Sequence, residues 1–399
     1  MRARSNLSIW LIVLGLSLGP AISNGFARFA YGLILPAMRS DLGWSFTEAG
    51  AINTANAVGY LIGALGALFL VNRIGPRALF VWGFALTTLA LLLSAATRDF
   101  TVLSCWRIVA GVGGAPIFIA GGVIVSALFP KDRSLNALAI AVYFGGGGLG
   151  MVLTAVTIPA FMDWFGDPGW PLVWLALGIA TFVLFIPAWL AAEAIEEPAS
   201  ATPGQPTAKL PIRAMLPALG AYFLFGLGYL IYITFLIAWM RDAGQDTGMI
   251  SLTWAIMGLG VMLSPFLWKP VLSRAQGGGA LCVTSLAVGI GILLPIAIDH
   301  PASVLVSAAL VGGTFFMIPS AVTTFSRRNL IESQWGRAVS LFTVIFSVGQ
   351  IIGPVAAGAI SDLTGSTTAG LLISGVILLL GAATALLQPP LTCEGVPND

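Results

Sequence analysis

The chain reads as an all-α membrane protein: twelve transmembrane helices in two six-helix, pseudo-symmetric halves. Three observations predict this. Only 9% of the 399 residues are charged and 58% are hydrophobic, whereas a soluble domain carries roughly 25% charged residues. Apolar windows long enough to cross a hydrocarbon core of about 30 Å recur twelve times, six on either side of one long polar stretch. The second six also repeat short phrases of the first at near-constant distance.

The first span covers roughly 9–38. Arg2 and Arg4 precede the apolar run Leu7 to Leu18, and small residues follow, which is the pattern of a signal peptide. Apolar character resumes after Arg28 and reaches Met38, so the segment is one long helix carrying a polar patch. Further windows fall near 46–71, 78–97, 100–128, 135–161 and 170–192, then near 215–240, 247–268, 279–298, 302–325, 337–361 and 368–388. Between the sets lies "EAIEEPASATPGQPTAKLPIR", Glu193 to Arg213, whose Pro, Ala and Thr content marks a flexible linker. The expected organisation is an N-terminal half at 1–192, a cytoplasmic linker at 193–213, and a C-terminal half at 214–399 ending in a short cytoplasmic tail.

The halves echo each other. Met38-Arg39 lies over Met240-Arg241 at an offset of 202, "GVGGAPIF" over "ALVGGTFF" at 199, and Arg133 over Arg337 at 204. A parallel repeat of six spans, each half often built of inverted triplets, is a transporter architecture with its site between the halves near the midplane. Orientation follows from the basic residues. With the N-terminus inside, thirteen Lys and Arg fall on the inner side and three (Arg39, Arg98, Arg241) on the outer. That bias puts both termini in the cytoplasm. Arg28 and Arg107 alone lie within spans.

Composition also excludes function classes. A net charge of +2 without a basic run leaves no nucleic-acid surface. Cys105, Cys282 and Cys393 are far apart and form no disulfide framework, and the lone His300 has no metal-ligand partners. No metal or cofactor is expected, and an enzyme would lack a nucleophile–base pair. A receptor would need a signalling domain that neither linker nor tail supplies.

Several motifs then carry a resemblance to the major facilitator superfamily over nearly the whole chain. "NRIGPR" (Asn72 to Arg77) resembles its Asp-Arg-x-Gly-Arg-Arg/Lys loop, with Asn72 where Asp is usual and Pro76 where a basic residue is usual. "RIVAGVGGA" (Arg107 to Ala115) resembles its Arg-x-x-x-Gly-x-Gly pattern in span 4, and "GQIIGPVAAGAISDLTG" in span 11 is similar phrasing. The resemblance implies coupling or packing roles for Arg107, Arg73 and Arg77. The antiporter-associated Gly-Pro signature expected in span 5 is missing, since "GGGGLGMVLTA" has no proline, and export by antiport loses support. "GFARFAYGLILPAMRSDLGWS" resembles the opening of the YbfB/YjiJ-type branch, which implies a multi-pass permease of the bacterial inner membrane.

Polar stripes mark a central cavity. At 3.6 residues per turn, Ser17, Asn24, Arg28 and Tyr31 fall within about 60° of one another. Span 2 aligns Asn53, Asn56 and Tyr60; span 7 offers Tyr222, Tyr229 and Tyr232; span 8 has Trp254, and span 11 has Gln350. Each has an ordinary alternative: the glycines of spans 4 and 5 as packing seams, the tyrosines as interface anchors, and Asn53 and Asn56 as helix–helix bonds.

The arginines are the sharpest signal. An Arg at mid-span costs about 2.5–3.5 kcal/mol on insertion scales, and none of the sixteen acids falls mid-span to offset it. Glu48, at the outer mouth of span 2, is the nearest partner by sequence. A transported anion would supply the missing charge, held by a guanidinium through two parallel hydrogen bonds. Arg28 is therefore read as an anion ligand, with Asn24, Tyr31, Asn53 and Asn56 orienting it and Tyr229, Tyr232, Trp254 and Gln350 closing the far wall. The competing reading makes Arg28 a structural strut. At the 202 offset Leu230 takes the place of Arg28, so the site is polar on one half and aromatic on the other.

The expected function is alternating-access transport of a small organic anion, most simply a carboxylate, by a monomer in the lipid bilayer. A co-transported proton or an exchanged anion would drive it. The alternative is efflux of hydrophobic or cationic compounds, and a non-transport receptor or enzyme is remote.

Overall fold

The protein is described here by a computed structural model that covers residues 6–195 and 210–391. Most of the expected linker, together with Arg2, Arg4, Lys209 and Cys393, lies outside the described residues. Twelve helices are long and apolar enough to span a membrane: α1 Ser8–Leu42, α2 Phe46–Val71, α3 Arg73–Ser94, α4 Phe100–Ser126, α5 Arg133–Phe165, α6 Asp167–Glu193, α7 Ile212–Asp242, α8 Thr247–Arg274, α9 Gly279–Ala297, α10 Pro301–Asn329, α11 Glu332–Thr364 and α12 Thr367–Leu386. All twelve expected spans are present.

Helix starts follow local chemistry. Ser45 and Glu48 form a capping box on α2, and Asp99, Asp132 and Asp246 accept backbone N–H groups at the starts of α4, α5 and α8. His300 does the same for α10, its Nδ1 accepting from Ala302 N–H at 3.1 Å. The chain turns from α2 into α3 at Gly75, within the first residues of α3 (φ 81°, ψ 158°), a conformation that suits glycine because it lacks a Cβ.

Two helices, α1 and α10, are irregular near their middles. In α1 the segment Ala21–Phe29 is π-helical, with Ala30 N–H bonded to Gly25 O. In α10 the helix ends at Phe315 and restarts at Ile318.

The same helix pairs close each half. In the first, α1 meets α5 where added Cβ atoms on Gly146 and Gly150 would strike the backbone of Ser17 and Ala21, and α2 meets α4 through Gly59 and Gly111. In the second, α7 meets α11 through Gly226, Gly349 and Gly353, and α8 meets α10 through Gly260 and Gly312. Small residues let backbones approach, and dispersion rather than hydrophobicity drives the packing in lipid. The helices that open each half are the most enclosed. The central windows of α7 and α1 are 78% and 67% buried, against 33% for α6, whose Ile179, Phe182 and Val183 are more than half exposed toward lipid.

The halves meet along α2–α11 and α5–α8, pairs that exchange under the six-helix repeat. Gly50 lies against the Pro354 backbone and Gly358 against Phe46, while a Cβ on Gly258 would stand 2.7 Å from the Gly148 carbonyl. Hydrogen bonds between halves gather on the arginine-poor face. The Asp362 carboxylate of α11 accepts from Phe46 N–H (2.8 Å), Thr47 N–H (2.9 Å) and the Thr47 hydroxyl (2.6 Å) at the start of α2. Arg241 pairs with Asp167 at 3.0 Å, and the Thr247 hydroxyl donates to Asp163 at 2.8 Å.

The seams make a stability prediction. Gly146→Ala drives a methyl into the Ser17 carbonyl, and overpacking costs about 1–3 kcal/mol. Gly66→Ala meets nothing within 4 Å. Thermal unfolding in detergent is expected to fall for the first variant and hold for the second.

Candidate substrate site

Between the halves lies a cavity of ≈ 360 Å³, lined by α1, α2, α4 and α5 on one side and by α7, α8, α10 and α11 on the other. One end is blind: Asn24, Arg28 and Tyr229 there are only 4–5% exposed. Toward the other end the lining includes the exposed Ala137 and Pro319, so the cavity opens on the basic face that carries Lys131 and Arg133.

Arg28 is the charged group of this lining. Among the described residues no Asp, Glu, Lys or His lines it. The Arg28 guanidinium stands 4.8 Å from the Tyr60 ring centroid, a cation–π contact, and its Nε and Nη2 are buried without a hydrogen-bond partner. Asn24 lies one turn before it and donates to the Ser23 hydroxyl at 3.3 Å. Tyr229 faces the cavity from the other half and accepts from the Gln350 side-chain amide. With the amide in that orientation, the Tyr229 hydroxyl proton can be donated into the cavity. The blind end is therefore rich in donors and holds one positive charge.

Arg107 is placed differently. Its Nη2 donates to the Ala27 carbonyl at 2.6 Å, and its guanidinium stands 4.9 Å from the Trp174 ring and 5.6 Å from Tyr31. It lies behind α1 rather than in the cavity. The π-helical turn, in which bonds run from i to i+5, is the stretch of α1 that it clamps.

Several residues expected at the site do not reach the cavity. Tyr31 points into its own half and donates to the Ala49 carbonyl at 2.7 Å. The expected face assumed 3.6 residues per turn, and the wider π turn rotates Tyr31 off the line of Asn24 and Arg28. Asn56 donates to the Arg107 carbonyl at 3.2 Å, and Tyr232 shares a 2.7 Å bond with Ser307, each within one half. Asn53 and Trp254 sit in the closed seam between halves. Asn53 donates to the Thr234 hydroxyl at 2.6 Å, and a Cβ on Gly32 would stand 3.2 Å from the Trp254 ring. Gln350 is fully buried behind Tyr229. Glu48 caps its own helix at Ser45 (2.9 Å) rather than partnering either arginine. Arg77 pairs with Glu193 at 3.2 Å, and Arg73 is exposed.

The larger omission is aromatic. Phe225, Phe315, Phe316 and Phe346 line the cavity, and only the break in α10 brings Phe315 and Phe316 there together. "FFMIPS" carries the signal, since Pro319 has no N–H to continue the helix to the Phe315 carbonyl and suits the first turn of a new one.

A two-fold bundle of twelve spanning helices around a central cavity defines a membrane transporter of the major facilitator type, not an enzyme. The chain belongs to the family described as uncharacterised MFS-type transporter YbfB, whose model matches residues 21–386. It is 24% identical over 396 residues to the inner membrane transport protein YdhP of Escherichia coli (strain K12), covering 96% of this chain and 97% of that one. It is 28% identical over 381 residues to a chloramphenicol resistance protein of Streptomyces lividans (89% and 92%) and 23% identical over 391 residues to a gentisate transporter of Corynebacterium glutamicum (90% and 83%). Among solved structures, a bacterial homologue of the human lysosomal transporter Spinster, inward-facing and occupied, shares the fold with a TM-score of 0.72 at 17% identity, covering 96% of this chain and 97% of that one.

The two arginines should separate in a stability measurement. Arg107→Met leaves the Ala27 carbonyl without its donor, which costs about 1–3 kcal/mol. Arg28→Met removes a buried cation that has no such bond. Unfolding temperature in detergent is expected to drop for Arg107→Met and to hold or rise for Arg28→Met.

Proposed function

We propose that the protein is a secondary transporter of a small organic anion, and that the anion's carboxylate is the counter-ion of Arg28. One observation carries this reading: the blind end of the cavity holds a guanidinium and several donors, with no acidic side chain to neutralise it. Guanidinium takes a carboxylate through two parallel hydrogen bonds, and Asn24, Tyr60 and Tyr229 stand where they would complete its coordination. The gentisate relative supports an organic anion, since its name denotes one.

The mechanism is alternating access between the halves. The basic face is cytoplasmic by the positive-inside rule, which makes the present conformation inward-open and sealed outside by Asp362, Arg241 and Thr247. Asn53 and Trp254, now in the sealed seam, then line the opposite vestibule when the halves rock. The protein resides in the bacterial inner membrane, with the connection between α6 and α7 on the cytoplasmic side. A C-terminal alkaline phosphatase fusion is expected to be inactive and a C-terminal fluorescent-protein fusion bright; the reverse pattern would invert the orientation.

Efflux of lipophilic compounds is the second reading, favoured by the apolar wall and by the chloramphenicol resistance relative. A ligand panel distinguishes the two, because binding to the folded state raises apparent stability by mass action. Organic anions are expected to raise the unfolding temperature of the purified protein, and Arg28→Ala to abolish the shift. Stabilisation by cations or neutral lipophiles, unchanged in Arg28→Ala, would move the protein to the efflux class.

A further inference from the structure

We infer that the transported anion is a flat aromatic ring bearing a single negative charge; the inference rests on the proposed anion site at Arg28. The wall facing Arg28 is a set of rings with a common orientation. Phe225 and Tyr229 stack at 4.7 Å and 18°, Tyr229 and Phe346 at 5.7 Å and 12°, and Tyr229 and Phe315 at 5.8 Å and 20°. Four side chains from three helices are thus held within about 20° of parallel to Tyr229 or to each other.

The stack runs on behind the cavity to Tyr222, 4.8 Å and 16° from Phe346, so packing between α7 and α11 fixes the row before any ligand enters. Other ring pairs of the cavity are not aligned: Phe29 lies at 78° to Phe315, Phe118 at 85° to Phe316 and at 51° to Phe144. Phe225, Tyr229, Phe315 and Phe346 all line the cavity, and a flat ring entering it can stack on or against this row. A flexible aliphatic chain gains nothing from aligned planes, and a sugar would leave most of its hydroxyls unpaired against phenyl rings. The charge count sets the other limit. One guanidinium neutralises one carboxylate, and a second anionic group would stand in the cavity without a cation. The free proton of the Tyr229 hydroxyl suits a ring substituent that accepts a hydrogen bond.

The test is binding to the full-length, detergent-purified protein by titration calorimetry with probes of matched size. Benzoate and cyclohexanecarboxylate differ in planarity, phthalate adds a second charge, and benzamide removes the charge. Benzoate is expected to bind about 2- to 12-fold more tightly than cyclohexanecarboxylate, the range of one aromatic pair beyond its area, and more tightly than phthalate. Phe346→Leu and, independently, Phe315→Leu are expected to shrink the benzoate preference while binding still requires Arg28. Equal or tighter binding of cyclohexanecarboxylate, lost in Arg28→Ala, would overturn the aromatic inference and leave the anion site standing. Benzamide binding as well as benzoate, unaffected by Arg28→Ala, would overturn both.

Discussion

A guanidinium held inside a membrane protein without a carboxylate is the constraint on which the rest of the site depends. The penalty for such a charge at mid-span is about 2.5–3.5 kcal/mol, and the two buried arginines meet it in opposite ways. Arg107 is tied into the fold by a backbone carbonyl and two aromatic faces, although its Nε and Nη1 are buried without a partner. Arg28 has the face of Tyr60 and little else. What separates the two is position: Arg28 lines the cavity between the halves, and Arg107 does not.

Holding Arg28 in that state requires α1 to be rigid where it is irregular. A π-helical stretch is weaker than an α-helix unless its surroundings fix it. Here Gly25 and Gly150 bring α1 and α5 into backbone contact on one side, and Arg107 ties the Ala27 carbonyl to α4 on another. The glycines and the structural arginine thus keep the second arginine aimed into the cavity. Across the gap, Gln350 does the equivalent for Tyr229, holding the hydroxyl oxygen and leaving its proton free.

The fold was largely legible in the sequence because lipid imposes it: each span must be a long apolar helix that satisfies its own backbone bonds, and hydropathy alone counts twelve. The half-repeat was legible too, and the pairs it relates, α1–α5 with α7–α11 and α2–α4 with α8–α10, pack alike. The site was legible only in part. Asn24, Arg28 and Tyr229 line the cavity, but Tyr31 does not, because a helical wheel cannot register a π turn. Asn53, Asn56, Tyr232 and Trp254 are polar or amphipathic at mid-span, the right kind of residue, yet pairing with Thr234, Arg107 and Ser307, or packing on Gly32, is a tertiary matter. The phenylalanines were overlooked because an apolar side chain in an apolar helix carries no contrast.

These bonds also divide by what rocking would do to them. Tyr31 to Ala49, Asn56 to Arg107 and Tyr232 to Ser307 join helices of the same half and survive a rigid-body motion. Asp362 to the start of α2, Asn53 to Thr234 and Trp254 over Gly32 join opposite halves and must be given up for the arginine-poor face to open. Asp362 bonds the start of α2, and Asn53 lies about halfway from there to Tyr60, the residue that Arg28 contacts. In the proposed alternating-access cycle, opening that seam would uncover the guanidinium from its other side, so that one cation would serve both faces. A single unpaired charge then suffices for a two-sided site, provided that the group filling it arrives from one face and leaves by the other.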